Sequence, residues 1–450
     1  MQLIIVNILI IILSWLSMTD LLLLSIFGLA QLVICSLALY KNSSIKLPLG
    51  LFYLVLIYLF HSGFALLFLQ GYSFNELSLG FYTVSDYGKA QVFTEMSVFL
   101  FTMGYTSKVG LNSISRTEEI LDIQGKYFVY FFLFCLPLYI ASIYIKIDIA
   151  KESGYLATYK VTSMPLFHYG SMFINSCVPM ATLLFVLYKR NLVACKYLAI
   201  LMFLLSVYSM ASGQRIIAIT SIVSLGVIYF NVVSKINKKN FLILSLIVLL
   251  LIVFLPLVTS LRKYGLVDAE HLAEAYQDVK TESDDGPLYG FVREFGDTVI
   301  SLIFPILRTG SSEPYGFGLT YLLAPLSLSP KLPIELVQSD FYRDAMYFIT
   351  KYPEAKFINF GGSILGESFS NFGWFGCMVL FVVGLFIKLI DNSILLAKQG
   401  RVSYFSLLLI FIIPNLLRWV RDAFSCVIGF TFIVLYVLWL YSVNKKKQFN

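Results

Sequence analysis

Long apolar runs separated by short polar breaks fill most of the chain. They fall at about 3–18, 21–40, 47–69, 90–106, 126–147, 169–188, 193–211, 214–233 and 241–261, and, after a long interval, at 372–390, 402–417 and 423–442. Each is close to the roughly 20 residues an α-helix needs to cross a bilayer. Strands of a membrane barrel would instead show about ten residues of alternating polarity. The pattern therefore predicts an all-α, polytopic membrane bundle of about twelve transmembrane helices, with Thr19-Asp20 as a tight turn between the first two. Three regions follow: spans 1–9 over 1–261, a large polar loop over 262–356, and a re-entrant-like segment with spans 10–12 over 357–450. Within the loop, the apolar pieces 298–307 and 317–328 are broken by Pro305 and Pro325. They are too short to cross and read as interfacial helices.

Charge fixes the orientation of this bundle. With the Lys445-Lys446-Lys447 tail inside, twelve spans place both termini in the cytoplasm. The inner loops and tail then hold seventeen Lys and Arg, against six in the short external loops (Lys89, Lys151, Lys160, Arg215, Arg418 and Arg421). This is the bias of the positive-inside rule. The interval 262–356 falls outside, as a large periplasmic loop before span 10 with 9 basic and 14 acidic residues.

Composition closes off other classes. Only 13% of the 450 residues are charged and 58% are hydrophobic, which excludes a soluble enzyme. The net charge of +7 sits in the orienting loops, so it is no nucleic-acid signal. The six cysteines lie in or beside apolar runs without CxxC spacing and read as packing residues. No GxxxxGK[ST], GxGxxG or HExxH is present, and the three histidines are scattered. The expectation is an enzyme without metal or cofactor, acting on a lipid-carried substrate.

The informative charges are those placed at the external rim, because an ionised group at bilayer depth must face protein, water or a ligand. Arg215, in Ser212-Gly213-Gln214-Arg215, reads either as an anion clamp or as a headgroup anchor. In Leu417-Arg418-Trp419-Val420-Arg421-Asp422, two arginines three apart share a helical face, and Asp422 could pair with Arg421. Together with Arg215 they could hold a pyrophosphate. The segment Gly361–Gly373 carries Glu367 and Asn371 four apart, on one face of a helical turn. Glu367 is a candidate base or substrate ligand, with capping and packing as the alternative. Arg293 and Glu294 either contribute to a site or form a surface pair, and Asp297 or Thr298 could cap the helix that Val299 begins. Arg308 is equally open. The loop tyrosines, Tyr321 among them, suit sugar stacking or interfacial anchoring.

On these residues the sequence resembles the O-antigen polysaccharide polymerases of bacterial inner membranes, the Wzy type. The likeness lies in Ser212-Gly213-Gln214-Arg215, Arg293-Glu294-Phe295-Gly296, Gly366-Glu367-Ser368-Phe369-Ser370-Asn371-Phe372-Gly373-Trp374-Phe375-Gly376 and Leu417-Arg418-Trp419-Val420-Arg421-Asp422-Ala423-Phe424, with the long loop before the last three spans. The resemblance implies transfer of a growing glycan from undecaprenyl pyrophosphate to the next lipid-linked repeat unit, at the periplasmic face, on a C-type glycosyltransferase fold. A chain-length regulator is the partner it implies, beside the membrane lipids. The residues assigned to pyrophosphate and glycan are Arg215, Arg418, Arg421, Arg293, Arg308 and Asn371. Glu367 is assigned as base or acceptor ligand, with Glu294 second. The final motif departs from the family pattern at Arg421-Asp422-Ala423-Phe424, leaving Arg418 and Arg421 both open as the functional arginine.

Two rival functions are a lipid-linked oligosaccharide flippase and an O-antigen ligase. A transporter commonly shows related halves and broken helices near the midplane. No such repeat is visible here, and the unexplained charges gather at one rim.

Overall fold

The computed structural model describes residues 2–107 except 78, 125–153, 175–234 except 214, isolated positions between 237 and 258, 286–325, 349, 352 and 361–428. Among these residues the chain is helical, without a strand. In chain order the helices are α1 Gln2–Leu16, α2 Leu21–Asn42, α3 Leu49–Ser62, α4 Phe64–Phe68, α5 Val84–Thr106, α6 Gly125–Ser153, α7 Cys177–Leu187, α8 Leu192–Met210 and α9 Arg215–Ile228. They continue with α10 Gly286–Gly296, α11 Ile300–Arg308, α12 Leu319–Leu323, α13 Ile364–Phe372, α14 Cys377–Gln399, α15 Tyr404–Phe411, α16 Ile413–Trp419 and α17 Ser425–Ile428. Five segments among the described residues are long and apolar enough to cross a membrane: Leu21–Asn42, Gly125–Glu152, Leu192–Met210, Arg215–Val233 and Ile364–Gln399. The predicted runs 241–261 and 423–442 lie mostly outside the described residues, as does the lysine tail.

Local chemistry explains several boundaries. Asp20 ends the first turn by accepting the Leu22 and Leu23 amides at 3.0 Å each, so the Thr19-Asp20 break is a helix cap. Thr83 and Asp86 form a reciprocal capping box that starts α5 six residues before the predicted run. Glu95 is consequently in mid-helix, and buried. Likewise α10 passes through a 3-10 turn at Asp297–Val299 into α11, and no side chain caps α11. The expected Asp297 or Thr298 cap is absent because the helix is continuing, not starting.

The chain divides into two compact units. The first comprises 1–116, 292–392 and 417–428. In it α2 packs on α1, α3, α4 and α5, while α11 packs on α5 and α13. Helices α5 and α14 approach backbone to backbone, since a Cβ on Gly104 or Gly384 would collide with the carbonyls of Phe381 and Phe101 respectively. Such reciprocal small residues let membrane helices associate by close van der Waals packing. An aromatic cluster of Phe93, Phe369 and Trp374, with ring centroids 5.1–5.8 Å apart, fixes α13 against α5. Polar side chains point inward here: Gln31, Gln91 and Glu95 are buried, whereas Ile5, Leu9, Leu16, Val33 and Leu37 are exposed. This inversion suits a protein whose solvent is hydrocarbon.

The second unit comprises 117–291, 393–416 and 429–450. Its α7 packs on α6, α8, α9 and α15. Lys189 donates to the carbonyls of Ala397 and Lys398, at 2.5 and 2.9 Å, and so ties the end of α7 to the chain leaving α14.

Candidate active site

Helix α13 is built to present Glu367 to the interior. Ser363 caps it by accepting the Gly366 amide at 2.9 Å, and Gly373, with φ of 59°, ends it. Every residue from Ile364 to Asn371 is buried. Glu367 is 1% exposed, and two donors converge on its Oε2: the Trp419 indole Nε1 at 2.9 Å and the Phe424 amide at 2.8 Å, with the Thr320 hydroxyl as a further hydrogen-bonding neighbour of the carboxylate. The motifs at 361–373 and 417–424 are therefore one structure, joined through this carboxylate. Their backbones also meet, because a Cβ on Gly362 would lie 3.0 Å from the Ala423 amide nitrogen.

The two arginines separate. Helix α16 stops at Trp419, and Arg421 lies in the following turn, its amide donating to the Arg418 carbonyl at 3.0 Å. Arg418 turns to Asp422, with Nε and Nη2 each 2.7 Å from Oδ2. The pairing of Asp422 with Arg421 and the shared helical face are thus both replaced. An i,i+4 ion pair takes the carboxylate, and the helix ends before Arg421. Asp422 Oδ1 meanwhile accepts the Ala423 amide at 2.9 Å. Among the described residues Arg421 has no carboxylate partner; its guanidinium lies 5.7 Å from the Phe60 ring centroid. Phe60 in turn packs on Phe295 at 4.9 Å, which brings the Arg293-Glu294-Phe295-Gly296 motif to the same neighbourhood.

Asn371 is fully buried and engaged inside the protein. Its Nδ2 donates to the Glu367 carbonyl and to Thr320 Oγ1, both at 2.8 Å, while Oδ1 accepts the Gly318 amide at 3.0 Å. Arg308 is exposed at the end of α11. The adjacent Thr309 reaches the Tyr352 hydroxyl at 2.8 Å, and that hydroxyl donates to Ser370 Oγ at 3.1 Å. Burial pushes the Tyr352 phenol up to about 12, so it remains a donor. Arg215 belongs to the second unit, where it opens α9 and is buried behind Gly213, whose φ is 80°.

The sequence reading gives no role to Trp419, Phe424 or Phe60, and for Tyr321 it leaves sugar stacking and interfacial anchoring open. Trp419 lies inside a motif already singled out, and a buried indole N–H requires an acceptor, which is the one available signal. Among the described residues no three His, Cys, Asp or Glu side chains converge as metal ligands.

An apolar-surfaced helical bundle holding a buried carboxylate beside arginine and aromatic rings defines a membrane protein with an internal polar site. The model of the O-antigen polysaccharide polymerase Wzy family matches residues 1–447, and the chain belongs to that family. It is thus an O-antigen polymerase, a glycosyltransferase-type enzyme of the inner membrane that works on lipid-linked repeat units. No curated protein and no solved structure gives a significant match.

Proposed function

We propose that the chain transfers the growing glycan from a polyprenyl pyrophosphate, undecaprenyl in kind, onto a sugar hydroxyl of the next lipid-linked unit at the periplasmic face. In this reading about twelve spans, with both termini cytoplasmic and a C-type glycosyltransferase arrangement, carry the site. The glycosidic bond to the pyrophosphate breaks, the acceptor oxygen forms the new bond, and the acceptor proton passes to a carboxylate. Negative charge grows on the departing pyrophosphate, and an arginine fork aimed at its oxygens stabilises that charge as it develops. Arg421 takes this role, and Arg215, in the second unit, is an anion ligand in its own right. Arg418 holds the turn that carries Arg421.

The observation that carries the reading is the placement of Glu367. Two N–H donors fix its Oε2, and in this reading the other oxygen, Oε1, takes the proton of the sugar hydroxyl. Glu294 is the second carboxylate of the site, Arg293 and Arg308 contact glycan, and Asn371 acts through the segment it holds.

Glu367→Gln keeps an oxygen for the two donors and removes the proton acceptor. General-base catalysis contributes about 10²–10⁴-fold. In a strain carrying only this variant, the surface lipopolysaccharide should collapse to core lipid bearing a single repeat unit. A full polymer ladder at wild-type protein level would refute the assignment. Complete loss of capped core would indicate a flippase, and polymer stranded on carrier lipid a ligase.

A further inference from the structure

The segment before α12 is docked on α13 with unusual thoroughness. The Gly316 amide donates to the Ser370 carbonyl and the Phe317 amide to the Asn371 carbonyl, at 3.0 Å each. The Asn371 side chain adds its bonds to Gly318 and Thr320, the next residues along. Two consecutive residues take left-handed backbone to allow this: Phe317 at φ 45°, the one non-glycine of positive φ among the described residues, and Gly318 at φ 83°. Such a conformation persists at a non-glycine only where the surroundings enforce it.

What this docking delivers is Tyr321. Its ring lies against Phe424 at 5.2 Å, Trp419 at 6.1 Å and Phe372 at 6.2 Å between centroids. Phe424 and Trp419 are the two residues that hold Glu367. The Tyr321 hydroxyl is buried and, among the described residues, makes no hydrogen bond of good geometry, with the Asn371 amide as its polar neighbour. A buried orphan hydroxyl is costly, and here a set of hydrogen bonds maintains it. Burial, reinforced by the Glu367 carboxylate, pushes the phenol well above its ordinary range, so the group is a donor in search of an acceptor oxygen.

We infer that Tyr321 is a substrate-binding residue, its hydroxyl donating to an oxygen of the acceptor sugar beside Glu367. The ring gives the sugar an apolar wall, and the hydroxyl fixes which sugar oxygen faces the carboxylate. Asn371 is then a positioning residue, acting through Gly318 and Thr320. This inference rests on the placement of Glu367 in the active site.

The test uses the full-length protein in lipid nanodiscs, with purified lipid-linked repeat units as substrate. Initial polymerisation rates are measured across substrate concentration for wild type, Tyr321→Phe and a variant with 4-aminophenylalanine at 321, and melting temperature is recorded for each. Losing a hydrogen bond that a site is built to make reduces kcat/KM by about 10- to 100-fold. The expected result is that loss in Tyr321→Phe, mainly in KM, at unchanged or raised melting temperature. Substantial recovery is expected with the amino group, which restores an N–H donor. Wild-type kinetics in Tyr321→Phe would overturn the inference, assigning the hydroxyl to an ordered water only. A Phe variant that fails to fold, or an amino variant no better than Phe, would overturn it equally. Glu367→Gln is run alongside. If it is inactive while Tyr321→Phe is normal, the inference falls and the active-site reading stands. If Glu367→Gln is itself normal, the active-site reading falls.

Discussion

Arg418 and Arg421 are separated by two residues, and the structure makes their roles testably different. Arg418 spends its guanidinium on Asp422, with side chains 30% and 21% exposed. A pair this open to its surroundings contributes roughly 0.5–1 kcal/mol after screening. Arg418→Gln should therefore lower the melting temperature by a few degrees and leave most polymerisation intact. Among the described residues Arg421 makes a cation–π contact with Phe60, and such contacts are worth about 0.5–1 kcal/mol at open sites. Its removal should hardly change stability. If Arg421 stabilises the departing pyrophosphate, however, Arg421→Gln should cost about 10²–10³-fold in rate, the scale for losing one transition-state donor. The two variants thus separate along different axes, one in stability and the other in rate.

The assay is the lipopolysaccharide ladder of a strain expressing each variant, normalised to membrane protein level by immunoblot. Arg421→Gln should leave single-repeat product at normal protein level. Arg421→Lys should recover part of the ladder, keeping the charge and losing the two-pronged geometry. A lost ladder in Arg418→Gln with a normal one in Arg421→Gln would invert the assignment. Normal ladders in both would remove arginine at this turn from the chemistry altogether.

Two further substitutions probe the frame around the site. Trp419→Phe deletes one of the two donors to Glu367 and keeps an aromatic ring against Phe424 and Tyr321; losing a hydrogen bond to a carboxylate costs about 1.5–3 kcal/mol, so nanodisc turnover should fall roughly 10- to 100-fold, and unchanged turnover would show that Glu367 needs only the Phe424 amide. Asp391→Ala removes the acceptor for the Leu49 amide at 2.9 Å and the Tyr105 hydroxyl at 2.6 Å. About 2–4 kcal/mol of stability should go with these two buried bonds, seen as a lower melting temperature and less protein in membranes, while turnover per folded molecule stays normal.

How far the fold was legible follows from which interactions are local. Apolar run length located most of the helices, because hydrocarbon requires it. A boundary went wrong where a polar cap outweighed hydropathy: Thr83 and Asp86 start α5 ahead of its apolar run. The break at Gly373, between α13 and α14, falls where the glycine-rich segment was separated from the following span. In the site, the spacing of Glu367 and Asn371 correctly put them on one helical face. The Arg418–Asp422 pair was equally available as an i,i+4 match, yet the competing i,i+1 choice ignored helix geometry. The Phe424 donor was not available at all, since a main-chain amide is the same at every non-proline residue. Glu367 and Phe424 are 57 positions apart, and only the turn after α16 aims that amide at the carboxylate. This gives the motif 417–424 a meaning its side chains alone do not state. Arg418 and Asp422 shape the turn, the turn points Trp419 and the Phe424 amide at Glu367, and Arg421, over the Phe60 ring, has no carboxylate partner among the described residues.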